Sequence, residues 1–148
     1  MWSVESSFEL AVAPEQAWPL YVDPALWSRW AHSTAWAATD DRPLRVGSLI
    51  RVKPTRGPVQ RVRVARLEAG RRLTTELRVP GARMTFDYEL EPVAAGCRVR
   101  HRISMVGPLS NLYAIAMRNR NAGKLQGETA RLAEVINDAA RDPARDPA

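Results

Sequence analysis

Two histidines, His32 and His101, are the only side chains of this sequence whose ordinary pKa lies near neutrality. His101 lies in a segment that alternates apolar and basic residues, and Tyr88 lies in the preceding alternating segment. If these segments are neighbouring strands, His101 faces Tyr88 and is a candidate general base that removes a proton alpha to a carbonyl. The alternative is a histidine whose hydrogen bonds are satisfied within the sheet. His32 lies in a loop-like context, and we expect it to be exposed.

Tyr88 would place a phenol on an otherwise apolar face. A buried hydroxyl without a partner costs about 1–3 kcal/mol, so we expect it to bond His101, Thr75 or a ligand oxygen. We predict Tyr88 and His101 as catalytic residues. The predicted ligand-binding residues are aromatic, sulfur-containing or small polar side chains near that face: Trp30, Trp36, Thr75, Met84, Phe86, Tyr113 and Met117.

All five tryptophans fall within the first 36 residues. Trp18 and Trp27 occupy helical positions that favour packing of the helices on the sheet, whereas Trp30 and Trp36 flank the predicted entrance and suit a flat ligand. Tyr113 and Met117, early in the last helix, would either close the cavity mouth or simply pack there.

The residue inventory excludes several classes of site. With one cysteine, Cys97, and two histidines, the sequence has few ligands for a metal centre. Only neighbouring arginines could lower the pKa of the Cys97 thiol, so we do not predict Cys97 as a nucleophile. Neither a phosphate-binding glycine loop nor a nucleophile elbow occurs. We therefore expect no metal and no cofactor.

The 148 residues suit a single domain, which we place at 1–140, with a frayed tail at 141–148 that repeats the tetrapeptide RDPA. The net charge is +6, and residues 42–107 hold 15 basic against 5 acidic side chains. Such an excess would suit nucleic acid or another anionic partner. Because the arginines alternate with apolar residues and share their face with carboxylates, we favour a solvated sheet surface and expect no nucleic-acid partner.

Hydrophobic periodicity predicts an antiparallel sheet with few helices. Period-two alternation and glycine- or proline-containing turns predict seven strands, at residues 2–12, 33–39, 48–53, 59–68, 72–79, 82–91 and 97–106. Two short helices are predicted between the first two strands, from Glu15 to about Val22 and from Asp23 through Trp30. The fold class is therefore α+β.

A long helical segment is predicted from Gly107-Pro108 to about Ala139, with a bend near Gly123 and Gly127. At about 1.5 Å per residue it is too long to pack end-on, so it must lie along the apolar face of the sheet. A curved sheet around one helix leaves a cavity.

The apolar runs are too short to cross a membrane, and the amino terminus has no signal-peptide pattern. We therefore expect a cytoplasmic protein that does not insert into membranes. The oligomeric state stays open, with a homodimer among the expected states.

The sequence resembles the SRPBCC superfamily, which includes START domains and polyketide cyclases. The resemblance spans about residues 3–138 and is carried by the following segments: APEQAW at 13–18, Asp23-Pro24, WSRW at 27–30, Val46-Gly47, LEAGRRL at 67–73, FDYELEP at 86–92, GCRVRH at 96–101 and Gly107-Pro108-Leu109. It departs from many relatives at Cys97, where they carry threonine, and at Tyr88, where they carry histidine.

The resemblance implies a helix-grip fold, in which a curved seven-stranded antiparallel sheet wraps around the last helix. It also implies binding of a hydrophobic small molecule, and we expect a cofactor-independent polyketide cyclase, aromatase or dehydratase of secondary metabolism. The alternative is a protein that binds or transports a lipid-like ligand without chemistry. A third possibility, binding of an acidic surface by the arginine face, predicts affinity that falls steeply with salt.

Overall fold

The computed structural model describes residues 1–31, 33–121 and 134, with backbone alone for 117–121. Its main feature is a curled sheet of seven antiparallel strands in the order β1-β7-β6-β5-β4-β3-β2. The strands are β1 Trp2–Leu10, β2 Thr34–Ala38, β3 Leu49–Pro54, β4 Gln60–Glu68, β5 Arg72–Val79, β6 Ala82–Val93 and β7 Gly96–Val106. The predicted strands and the α+β class are confirmed. β1 is shorter than predicted because it ends at Leu10 opposite Cys97, next to the first residue of β7.

The connection between β1 and β2 contains more, shorter helices than predicted. It comprises α1 Pro14–Ala17, α2 Pro19–Val22, a 3-10 turn at Pro24–Leu26, and α3 Trp27–Trp30. Pro19 has no backbone N–H and cannot continue the hydrogen-bond ladder of α1, so the first predicted helix is divided in two. Asp23 caps the 3-10 turn by accepting a hydrogen bond from the Ala25 amide at 3.1 Å.

The short helices cover one face of the sheet, which we call the inner face. Its side chains form the core with the helices, and the most deeply buried members include Leu10, Ile50, Val64, Leu73 and Val99. The opposite face, here the outer face, is polar. Alternation along each strand therefore sorts apolar and charged residues onto the two faces.

One irregularity maintains this sorting in β4. Val62 and Val64 are buried, and strict alternation would put Arg66 on the inner face after them. The pairing of β4 with β5 shifts between Val64 and Arg66, so that Leu67 lies opposite Leu73. This β-bulge places Leu67 against the core and Arg66 on the outer face.

Ion pairs link the strands of the outer face from β5 through β1. Arg72 forms a two-point contact with Asp87 at 3.0 and 2.6 Å, and Thr74 donates to the same carboxylate at 2.7 Å. Farther along, the pairs are more exposed: Arg98 contacts Glu9 at 3.1 Å, and Arg100 contacts Glu5 at 2.8 Å. Arg72, Arg98 and Arg100 thus have carboxylate partners, as the alternating pattern predicts.

The last helix, α4, is described over Ser110–Asn121 and is held to the sheet at its start. The Trp2 indole donates to the Ser110 carbonyl at 2.6 Å, and the Tyr113 hydroxyl donates to the Pro80 carbonyl at 2.8 Å. Gly81, with a φ of +76°, packs so closely on Leu109 that a Cβ would overlap that side chain. The predicted extension to Ala139, the bend near Gly123 and Gly127, and the 141–148 tail lie outside the described residues.

Candidate functional site

Tyr88 on β6 and His101 on β7 lie directly opposite each other in the sheet. Both rings project from the inner face and meet edge to face, with their centroids 4.8 Å apart. The structure therefore brings together the two residues predicted from the sequence to carry the chemistry. Phe8 on β1 extends this aromatic row, with its ring 5.3 Å from that of His101.

The short helices bring two further aromatic rings onto this pair. The Tyr21 hydroxyl lies 2.9 Å from His101 Nε2, and the Tyr21 ring lies 5.5 Å from that of Tyr88. Trp30 packs on the same residues, with its ring 5.7 Å from Tyr88 and 5.8 Å from His101. We call Phe8, Tyr21, Trp30, Tyr88 and His101 the aromatic cluster.

Hydrogen bonds from tryptophans to backbone carbonyls fix the helical half of the cluster. Trp27 Nε1 donates to the Tyr21 carbonyl at 2.9 Å, and Trp30 Nε1 donates to the Leu20 carbonyl at 2.7 Å. These bonds tie α3 to the end of α2, the helix that carries Tyr21. Trp30, which was predicted as a ligand-binding residue, therefore also stabilises the contact between α3 and α2.

Phe8 and Tyr21 are the two members of the cluster that were not predicted as site residues, and Tyr21 is the one that bonds His101. Its signal was the helical spacing of Ala17, Leu20 and Tyr21, which occupy positions i, i+3 and i+4 and are all buried. That spacing indicates a buried side chain, yet it contains nothing that predicts which strand residue the hydroxyl will meet.

Burial sets the protonation states of the cluster. It lowers the pKa of His101 to about 3, so the imidazole is neutral at pH 7. Burial also raises the pKa of Tyr88, and burial together with the neighbouring Tyr88 raises the pKa of Tyr21. The cluster is therefore uncharged over the physiological range.

Two polar atoms of the cluster have no hydrogen-bond partner among the described residues, Tyr88 Oη and His101 Nδ1. Tyr88 and His101 are themselves only partly buried, so these two atoms belong to residues that keep some exposed surface. The inner face thus presents two polar atoms that the described part of the fold does not use.

Apolar side chains surround these atoms. Met84 and Phe86 precede Tyr88 on the inner side of β6, and all three are only partly buried, although β6 lies near the middle of the sheet. Thr75, opposite Phe86 on β5, is 2% exposed. The structure therefore gathers Thr75, Met84, Phe86 and Trp30 on the face that carries Tyr88 and His101.

The remaining predicted ligand residues lie elsewhere. Trp36 lies opposite Lys53 on the outer face of β2, where it is 43% exposed, while its neighbour Ala37 is buried. Tyr113 is bonded to the turn between β5 and β6. The side chain of Met117, and His32, lie outside the described residues.

No group of three or more histidine, cysteine or acidic side chains that could hold a metal ion occurs within residues 1–31 and 33–121. Two open depressions lined entirely by described residues lie away from the aromatic cluster. One, of about 360 Å³, includes Arg78 and Arg83, and the other, of about 450 Å³, includes Asp40 and Arg61. A search for membrane-spanning segments finds no suitable helix among the described residues.

Solved structures share this architecture at low sequence identity. The protein MLL2253 from Mesorhizobium loti superimposes with a TM-score of 0.69 at 18% identity, covering 98% of this chain and 100% of its own. NE0264 from Nitrosomonas europaea gives 0.68 at 19% identity, covering 92% of this chain and 94% of its own. These likenesses confirm the helix-grip fold.

A third similar structure is the di-domain ARO/CYC BexL from the BE-7585A biosynthetic pathway. It gives a TM-score of 0.73 at 20% identity and covers 94% of this chain but 47% of its own. Among curated proteins no sequence matches this chain. The family model described as polyketide cyclase / dehydrase and lipid transport matches residues 1–137. With almost its whole length matched, the chain belongs to the polyketide cyclase/dehydrase and lipid transport family.

Proposed function

We propose that the inner face binds a flat, mainly apolar small molecule that carries at least one polar oxygen. The observation that carries the proposal is the pair of polar atoms on Tyr88 and His101 that have no partner among the described residues and lie within an apolar surrounding. Pockets for small molecules combine such apolar walls with a few polar groups that orient the ligand. The partial exposure of Met84 and Phe86 supports the same site, since these side chains offer apolar area to a guest.

The finer form of the proposal is a cofactor-independent lyase of the polyketide cyclase, aromatase or dehydratase type, acting in secondary metabolism such as antibiotic biosynthesis. The family match and the similarity to BexL support it. In this form the site would hold a flexible polyketone folded, so that the carbons that form a bond meet. Tyr88 and His101 are the residues we assign to the reacting oxygen. A cytoplasmic location and a homodimer belong to the proposal as expectations.

The alternative is a binding or transport protein without chemistry, and one observation favours it. A general base works best with a pKa near the working pH, whereas the pKa of His101 is lowered to about 3. Binding by the same residues requires no proton transfer.

A titration with N-phenyl-1-naphthylamine tests the binding site, because this uncharged probe becomes fluorescent in apolar surroundings. We expect saturable binding of one probe per chain. Phe86→Ala should weaken the affinity about tenfold or more, since a buried aromatic contact is removed. Arg98→Gln, on the outer face, is the matched control and should bind as the wild type does. Equal affinity in all three proteins, each with a cooperative thermal transition, would contradict the proposed site.

Product analysis separates the two candidate functions. The protein would be incubated with a linear poly-β-ketone, and the products analysed by mass spectrometry. A cyclase or dehydratase accelerates ring closure with loss of one water per aromatised ring, and Tyr88→Phe slows it. A binding protein leaves the rate of loss of water unchanged and returns the bound compound intact.

A further inference from the structure

The hydroxyl of Tyr21 meets one of the two ring nitrogens of His101. Tyr21 is fully buried, with 0% of its surface exposed, and its hydroxyl lies 2.9 Å from His101 Nε2. Among the described residues the hydroxyl has no other hydrogen-bond partner. Its single proton therefore has one acceptor within reach, the Nε2 lone pair.

The tautomer of the neutral imidazole decides whether the Tyr21 hydroxyl donates a hydrogen bond to Nε2 or accepts one from it. If Nε2 carried the proton, Tyr21 would have to accept, and its own O–H would be buried without an acceptor. Such an unsatisfied donor is expensive, and an imidazolium would leave the same donor unsatisfied and bury a charge as well. With the proton on Nδ1, Tyr21 donates to Nε2 and nothing is left unpaired at this contact.

The Nδ1–H tautomer leaves one donor without a partner. Nδ1 has no acceptor among the described residues, and His101 is only partly buried. Tyr88 lies directly opposite on β6, and its hydroxyl also has no partner within the described part of the chain. The inner face therefore presents an N–H and an O–H side by side, on two adjacent strands.

We propose that Tyr21 is a positioning residue that holds His101 as the neutral Nδ1–H tautomer, and that His101 and Tyr88 together donate hydrogen bonds to a carbonyl oxygen of the bound molecule. The proposal rests on the proposed function and names its ligand class, an apolar ketone or quinone. His101 is then a donor that polarises the carbonyl, not the general base expected from the sequence. The lone pair that a base would use is already occupied at Nε2.

The chemistry of a neutral histidine supports this role. Burial lowers the pKa of His101 to about 3, so the ring stays neutral when a ligand enters. Neutral imidazoles with lowered pKa values act as electrophiles toward carbonyl oxygens in known enzymes. A carbonyl accepts hydrogen bonds and offers no proton, so it satisfies both donors at once.

The tautomer is tested directly by nitrogen NMR of the imidazole. His101 is the only histidine left in a His32→Gln variant, which gives one set of ring signals. At pH 7 we expect the nitrogen chemical shift of Nδ1 to be that of a protonated imidazole nitrogen and the shift of Nε2 to be that of an unprotonated one. Adding Tyr21→Phe should move the signals toward a mixture of tautomers, whereas Tyr113→Phe, which removes a hydroxyl bonded to the Pro80 carbonyl, should not. A protonated Nε2 in the protein with Tyr21 intact would overturn the proposal.

Ligand recognition is tested with 9-fluorenone and fluorene, two flat probes of similar shape that differ by one carbonyl oxygen. We expect fluorenone to bind about three- to tenfold more tightly, the range that one or two net hydrogen bonds supply. This preference should shrink in Tyr21→Phe and in Tyr88→Phe, because each variant weakens or removes one of the two donors, and the ratio to fluorene within each variant corrects for any change in the apolar site.

The outcomes separate this proposal from the function on which it rests. Equal binding of both probes to the wild type overturns the carbonyl-donor role and leaves the apolar site standing. If neither probe binds, the apolar site for flat aromatic molecules fails, and the carbonyl-donor role fails with it. The NMR signature then still decides the tautomer. Thermal unfolding of each variant verifies that a lost preference does not reflect a lost fold.

Discussion

Neighbouring residues on β6 and β7 differ sharply in how their polar atoms are used. On the outer face, Asp87 accepts three hydrogen bonds, two from Arg72 and one from Thr74. The next residue along β6, Tyr88, points to the inner face, and its hydroxyl has no partner among the described residues. The same contrast holds on β7, where Arg102 pairs with Glu5 while His101 Nδ1 has no partner in the described part of the chain.

This contrast separates polar groups that stabilise the fold from polar groups that are available to a guest. Hydrogen bonds to charged groups contribute about 1.5–3 kcal/mol each, whereas a polar atom on an apolar face loses part of its hydration without gaining a partner in the protein. A fold optimised only for stability would place apolar side chains at positions 88 and 101. We infer that the inner polar atoms serve binding, and three experiments test the comparison.

The largest expected effect comes from Trp30, which is part of both the core and the aromatic cluster. Trp30→Ala removes a buried indole that packs on three aromatic rings and should lower the free energy of unfolding by about 3–5 kcal/mol. Trp36→Ala is the matched control on the outer face, where the indole is 43% exposed, and should cost about 1 kcal/mol or less. Urea denaturation measures both. Equal losses would mean that the two faces do not differ as described.

The second experiment measures how the free energy of unfolding changes as the pH is lowered. Burial lowers the pKa of His101 to about 3, below its ordinary value of 6.5. The unfolded chain therefore binds this proton first, and stability should fall as the pH decreases from about 6.5 toward 3. Between pH 6.5 and 4.5 the loss should be on the order of 2–3 kcal/mol. Urea denaturation at a series of pH values measures this slope, and His101→Gln should flatten it.

Asp87 provides the control for the acid experiment, since its carboxylate belongs to the outer face. Burial alone would raise its pKa, but hydrogen bonds from Arg72 and Thr74 outweigh burial and lower it. The ionised Asp87 carboxylate therefore adds to the free energy of unfolding at pH values above the ordinary carboxyl pKa, and this stabilisation is lost only at lower pH. Asp87→Asn should therefore keep the slope between pH 6.5 and 4.5 and change the curve below it. A slope above pH 4.5 that survives His101→Gln would refute this assignment.

The smallest expected effects lie within the outer face itself. Arg72→Gln breaks a two-point contact with Asp87, whose side chain is only 12% exposed, and should cost about 1.5 kcal/mol. Arg98→Gln loses pairs with Glu9 and Glu91 that are about half exposed, and should cost about 0.5 kcal/mol or less. Thermal unfolding at low and high salt compares them. A larger loss for Arg98→Gln would show that exposure does not rank these pairs.

The sequence predicted the sheet because each strand repeats its pattern with a period of two. The same pattern, with short turns, predicted that Tyr88 and His101 would face each other, and the register places them directly opposite. Tyr21 was not predicted, because its meeting with His101, 80 residues away, depends on how α2 lies on the sheet. Trp36 was expected near the ligand, but a shift in register between Thr34 and Trp36 accompanies its position on the outer face.

The extra residue in β4 bears on how this chain can change in length. Because the register shifts between Val64 and Arg66, Ala65 is the extra residue, and its removal would restore regular pairing without turning the end of the strand over. Arg66 would still lie opposite Thr74 on the outer face, and Leu67 would still lie opposite Leu73 on the inner face. A one-codon deletion at Ala65 should therefore harm the protein far less than a one-codon deletion in the middle of β5, where no extra residue absorbs the change and the faces would be exchanged.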